Sequence, residues 1–244
     1  MVERSRDEVA RRAGVDPRYV DRLVELGILR PGEDDAFSQG DVRRAQWVHG
    51  LDVAGVPLEG MATAIRDGTL SFDYLDASVY DQFAEVTGTT FGELSERTGV
   101  PMGLLTVVRE AIGFAEPEPE DVVREDELSV VGLIELQLSN GIRPVAIERW
   151  LRVLADSMRR ITETEADWWG SDVEQPLLAQ GMSTVEMLEA QADFGSRIAP
   201  LMERLLLAVY HGQQEHTWSK RAVEDVEAAL ERAGLLNRLH RPPA

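Results

Sequence analysis

Residues 11–29, RRAGVDPRYVDRLVELGIL, and residues 96–114, ERTGVPMGLLTVVREAIGF, are two versions of one pattern. Each reads as a helix, a turn around a glycine (Gly14 or Gly99), a second helix, and a stop at another glycine (Gly27 or Gly113). A polar or proline-rich gap follows each, then an acidic helix start at Asp41 or Asp126 and a longer helix. A second glycine turn closes each run, AGVPLEGM at 54–61 and NGIRPVAI at 140–147. Gly14 and Gly99, Asp41 and Asp126, and Gly55 and Gly141 are all separated by about eighty-five residues. An ordered series of matches at one spacing points to duplication of a helical unit.

Apolar residues recur at helical spacing almost everywhere, and the alternation of a half-buried strand is nearly absent. Ser5–Glu8, Thr90–Glu93 and Ser183–Glu186 each place a glutamate three residues after a hydroxyl, the pattern of a capping box. The spacing predicts an all-α fold, with a small β-wing near residues 30–38. It also predicts an amphipathic helix around Ile198–Tyr210 and a last helix at Ala222–Ala233. The segment EPEPED, 116–121, reads as a linker whose prolines and charges stay out of the core.

The 244-residue chain carries 25 basic and 44 acidic side chains, a net charge of −19. Such a balance disfavours nonspecific contact with nucleic acid or anionic lipid. With no cysteine, disulfides, thiolate zinc sites and cysteine nucleophiles are excluded. No apolar run approaches a membrane span, and MVERSRDEVARR lacks the apolar core of a signal peptide, so a cytoplasmic setting is expected.

The first unit resembles the winged helix-turn-helix of MerR-type regulators, through ARRAGVDPRYV, LGILRP and FSQGDVRRAQWVHGLDVAGVPLEGM. Reading DNA needs arginine or polar side chains on the second helix and a basic wing against phosphates. Here Asp21 stands where that family has its recognition-helix arginine. The shortened wing between Pro31 and Phe37 reads GEDDA. Residues 1–68 hold ten bases and thirteen acids, so this unit is itself acidic. The second copy is mostly apolar where a reading helix is polar. DNA binding is therefore not expected, and both units read as protein-packing modules.

No phosphate loop, dinucleotide fingerprint, HExxH or GxSxG motif is present, and no catalytic residue is assigned. The candidates for sensing are few. Trp168 and Trp169, preceded by Glu163, Glu165 and Asp167, would line an apolar pocket with an acidic mouth and take a small apolar ligand. Such aromatics more often serve as core or interface anchors. Trp218 is the third aromatic assigned to that pocket, whereas His211 and His216, with Glu215 between them, form the sole close histidine pair, a candidate proton or metal cluster. Two histidines near a helix end more often cap carbonyls or face solvent.

Taken whole, the chain resembles the N-terminal regulatory region of actinobacterial class III adenylate/guanylate cyclases. The resemblance rests on PLEGMATAIRDGTLSFDYLD, GTTFGELSERTGVPMGLLTVVREAIGF, VREDELSVV, RITETEADWWGSDVEQPLLAQGMSTVEMLEA, and YHGQQEHTW through LHRPPA. It implies a helical regulator acting as a homodimer on a cyclase domain that begins after the RPPA-like exit. The metal-binding aspartates of that domain are not in this chain, so the resemblance implies no cofactor within it. The expected organisation is a helix-turn-helix unit at 1–68, a connecting segment at 69–89 and a diverged second unit at 90–160. A helical bundle and transmitter exit follow at 161–244.

Overall fold

The computed structural model describes residues 4–32 and 35–235. Glu33 and Asp34 of the GEDDA wing, and the NRLHRPPA exit, lie outside the described residues. Among the described residues the fold is all-α with one two-stranded sheet. Two compact units divide the chain, residues 1–194 and 195–244.

Local chemistry sets the first helices. Ser5 Oγ accepts from the Glu8 N–H at the start of α1 (Arg6–Ala13), and Gly14, at φ 71°, ends it in the left-handed region. The Asp16 side chain caps α2 (Pro17–Glu25), where Pro17 occupies a first-turn site that needs no N–H. Arg4 and Phe37 then exchange two backbone hydrogen bonds of 3.0 Å. Phe37 of the expected wing thus bridges to the N-terminus, while within the wing the Gly32 N–H donates to the Ala36 carbonyl at 2.8 Å. Ser38 and Asp41 form a reciprocal capping box on α3 (Gln39–Val53), and α4 (Leu58–Arg66) follows the Gly55 turn.

Residues 73–76 and 78–82 form two short 3₁₀ turns. Phe72 and Leu75 from this stretch enter the same core as Val9, Val20, Leu23, Phe37 and Val42. Part of the connecting segment is thus core of the first module.

The second run repeats the order. β1 (Val86–Thr90) leads into α5 (Phe91–Thr98), with a Thr90–Glu93 capping box and Gly99 at φ 70°. α6 (Met102–Ile112) ends at Gly113, β2 (Val122–Arg124) pairs antiparallel with β1, and α7 (Glu125–Ser139) leads through the Gly141 turn to α8 (Pro144–Trp169). Glu127, rather than Asp126, takes the position of Asp41, since its Oε2 accepts from the Arg124 N–H at 2.7 Å. Phe91, Leu94, Leu105, Ile134 and Ile147 build a second core.

The 116–121 segment is not a free linker. Pro117 is buried, and the carbonyls of Pro119 and Asp121 accept from the Gly92 and Phe91 N–H groups at 2.8 and 3.0 Å. These bonds use donors that α5 leaves unpaired at its start.

After α8 the helix widens into a π turn at 170–174 and continues as α9 (Gln175–Ala179). Gly181 turns the chain, and a Ser183–Glu186 capping box starts α10 (Thr184–Arg232), 49 residues long. The separate helices expected near 198–210 and 222–233 are parts of this one helix, which runs through Pro200 without ending.

Candidate functional site

The surface of α2 is where a helix-turn-helix would read DNA, and its cations are already engaged. Arg18 faces Asp16 at 3.0 Å, and this contact holds the Asp16 carboxyl down at about 2. Arg22 meets Glu59 at 2.7 Å and Glu25 at 3.3 Å. Asp21 is itself bound, to Arg6, which also meets Asp35 at 2.8 Å. An arginine already paired with a carboxylate of its own chain contributes less to a phosphate contact.

Arg43 and Arg44, in the DVRR start of α3, point inward. Arg44 donates to Asp41 at 2.7 Å, to the Phe72 carbonyl at 3.2 Å, and to Asp76. Arg43 donates to the Leu75 carbonyl at 2.7 Å and to Asp81. Counting charge along the sequence misses this network, because the partners lie about thirty residues away. The signal available was the run DYLDASVYD, carboxylates spaced among aromatics that a loop would not need.

Trp168 and Trp169 belong to the first compact unit. Their rings meet edge to face at 5.9 Å, and Trp169 stacks on Phe194 at 5.5 Å and 27°. Trp168 is half-exposed and continues a stripe along α8 through Ile147, Leu151, Leu154, Met158 and Ile161. The stripe is buried at Ile147 and Leu151 and opens to solvent beyond them. Two cavities lie elsewhere in this unit. One of about 250 Å³ is lined by Ile28, Arg30, Arg44, Phe72 and Glu189, and one of about 340 Å³ by Val107, Glu110, Arg152 and Arg159. Neither is lined by the tryptophans.

His211, Glu215, His216 and Trp218 all lie on α10 in the second unit, on exposed positions. His211 sits beside Tyr210, with ring centroids 5.8 Å apart. Glu215 and Trp218 fall on the same face of the helix as His211. His216 is turned about 140° from it at 3.6 residues per turn. The two histidines therefore do not converge. Among the described residues no group of three or more His, Asp or Glu is placed to hold a metal ion.

The large apolar side chains left in solvent gather on the long helices. Val145, Trp150 and Val153 of α8 are exposed, as are Leu201, Leu205, Val209, Trp218, Val223 and Val226 of α10. Contiguous exposed apolar patches are a feature of interaction sites. No helix among the described residues is long and apolar enough to cross a membrane, so a bilayer-spanning role does not explain them.

Against the models of known families, residues 34–216 match the adenylate cyclase regulatory domain, three quarters of the chain. The chain belongs to the adenylate cyclase regulatory domain family. No curated protein matches it. Within this regulatory domain the match begins at the wing before α3, leaving α1 and α2 outside it, and ends at His216 in the middle of α10. The exposed apolar positions of α8 and the first half of α10 therefore fall within the region that defines the family.

Proposed function

We propose that this chain is the dimerising regulatory part of a cytoplasmic class III adenylate or guanylate cyclase, controlling how two catalytic domains pair. Class III sites form between two cyclase domains, so a regulator acts by setting the geometry of a pair of chains. The exposed apolar faces of α8 and α10, in a chain of this family, carry the reading. Covering them on a second copy removes apolar area from water at about 25 cal/mol per Å². The last stretch, residues 222–244, is the transmitter towards the cyclase domain.

The two helix-turn-helix units are duplicated MerR-like scaffolds now used for packing. Shared order of elements, left-handed Gly14 and Gly99, and the paired carboxylates Asp41 and Glu127 support that descent. A small apolar signal would be met at the half-exposed Trp168–Trp169 pair, beside the π turn. His211, Glu215, His216 and Trp218 lie on the helix that passes it on.

Sedimentation of the purified chain at tens of micromolar is expected to show a dimer without cyclase activity. A strictly monomeric chain overturns the reading. A mobility-shift assay at low salt is expected to show no sequence-selective DNA binding, and tight selective binding there would favour a transcriptional regulator instead.

A further inference from the structure

The apolar pattern of α10 beyond Gly195 has a period of 3.5 residues. Ile198, Met202, Leu205 and Val209 follow one another at alternating steps of four and three. The same count, continued without a slip, reaches Val223, Val226 and Leu230. On the heptad abcdefg Met202, Val209, Val223 and Leu230 occupy a, and Ile198, Leu205 and Val226 occupy d. Apolar residues at seven of ten successive a and d positions form the seam of a coiled coil. Leu205, Val209, Val223 and Val226 are each more than half exposed, so within one chain the seam is open.

The middle of the seam is polar. Gly212, His216 and Ser219 take the d, a and d positions between the two apolar halves. Flanking this gap, Glu215 falls at g and Lys220 at the following e. In two parallel, in-register helices a g residue faces the e residue five positions on in the other copy. Glu215 would therefore face Lys220 of the second copy, twice by symmetry, across the weakest layer of the seam. Lys220 is the chain's one lysine, and among the described residues neither it nor Glu215 forms an ion pair in its own chain.

We infer that residues 198–233 form a parallel, in-register coiled coil with the same segment of a second copy, its register fixed at the Gly212–His216–Ser219 layer by reciprocal Glu215–Lys220 pairs. The inference rests on the chain being dimeric and adds where and how the two copies meet. It explains why the seam's central layer is not apolar: one polar layer with flanking charges sets the register, at a cost in stability.

The chain lacks cysteine, so single cysteines report contact directly. Val209→Cys and Val223→Cys, each in the full chain under mild oxidation, are expected to cross-link to their own copies at least tenfold faster than Thr217→Cys, a b position. An antiparallel pairing brings at most one of the two onto itself. Cross-linking at one position only, or at neither, or equally at Thr217→Cys, overturns the inference. If sedimentation still shows a dimer in those cases, the dimeric reading stands and only the seam is lost; a monomer removes both. Lys220→Glu is expected to raise the dimer dissociation constant about tenfold, and Glu215→Lys/Lys220→Glu to recover most of it. An unchanged constant in Lys220→Glu, or no recovery in the double variant, overturns the charge pairing.

Discussion

Arg12 of α1 and Glu85, just before β1, form an ion pair that joins the first helical module to the β1–β2 sheet. The Glu85 side chain is 7% exposed, its other oxygen accepts from Gln39, and its carbonyl accepts from the Glu125 N–H at 3.0 Å. Removing the carboxylate deprives Gln39 of this acceptor and leaves Arg12 with only Glu8, at 3.1 Å, in a half-dry site. Glu85→Ala is expected to lower stability by about 2 kcal/mol, and Glu85→Gln by about half as much, since the amide keeps one acceptor. Urea unfolding of both variants measures this, and equal losses would mean that the charge alone, rather than packing or the retained acceptor, holds the junction.

Gly40, in the first turn of α3, exists for Asp76. A Cβ at position 40 would overlap the Asp76 carboxylate, which is bound to the buried Arg44. Gly40→Ala gains helix propensity of up to about 1 kcal/mol. It must displace an acid on which a 10%-exposed arginine depends, so a net loss of about 2 kcal/mol is expected. In Gly40→Ala/Asp76→Ala the two losses should not add, because the alanine at 40 no longer has anything to displace. Additive losses in a double-mutant cycle would separate the two residues.

What the sequence made legible was local. The stops at Gly14 and Gly99 and the boxes Thr90–Glu93 and Ser183–Glu186 depend on residues within one turn, and each is found where the spacing predicts it. The Arg43–Asp81 and Arg44–Asp76 contacts were not legible, because no periodicity links a helix start to turns thirty residues on. Pro117 looked like linker for the same reason; its burial depends on where α5 lies. The continuity of α10 was hidden by Pro200, which usually ends a helix, and by the polar stretch 211–219, which interrupts the apolar run. Of the proposed site residues, the contact of Trp168 with Trp169 follows from their adjacency, whereas the stacking of Trp169 on Phe194 does not.

The cap of α2 gives the chain a defined acid response. The Asp16 carboxyl, hydrogen-bonded to the Arg18 side chain and N–H, is lowered from 3.8 to about 2. A carboxyl lowered by folding contributes stability above its unfolded value and loses that contribution as pH falls through the folded one. Asp16→Asn keeps an N-cap side chain but cannot ionise. Its melting temperature should fall below that of the parent chain by a constant amount above pH 4. The two curves should converge between pH 4 and 2. A difference that stays constant across that window would show that the charge of Asp16 contributes nothing to folding.

Trp168 and Trp169 stand side by side but are held differently, and their variants should separate. Trp169 stacks on Phe194, whereas Trp168 contacts Trp169 by an edge and remains 38% exposed. Trp169→Ala removes a stacked ring from the region where α8 gives way to the π turn and is expected to cost about 2 kcal/mol. Trp168→Ala should cost under about 1 kcal/mol, as an exposed aromatic does. If Trp168 instead belongs to an interface, its truncation should weaken self-association of the chain while leaving the monomer's unfolding unchanged. Denaturant unfolding under dilute conditions and sedimentation at tens of micromolar, on the same variant, distinguish these. A Trp168→Ala chain that associates as the parent does would confine that side chain to a role in receiving a ligand or to none.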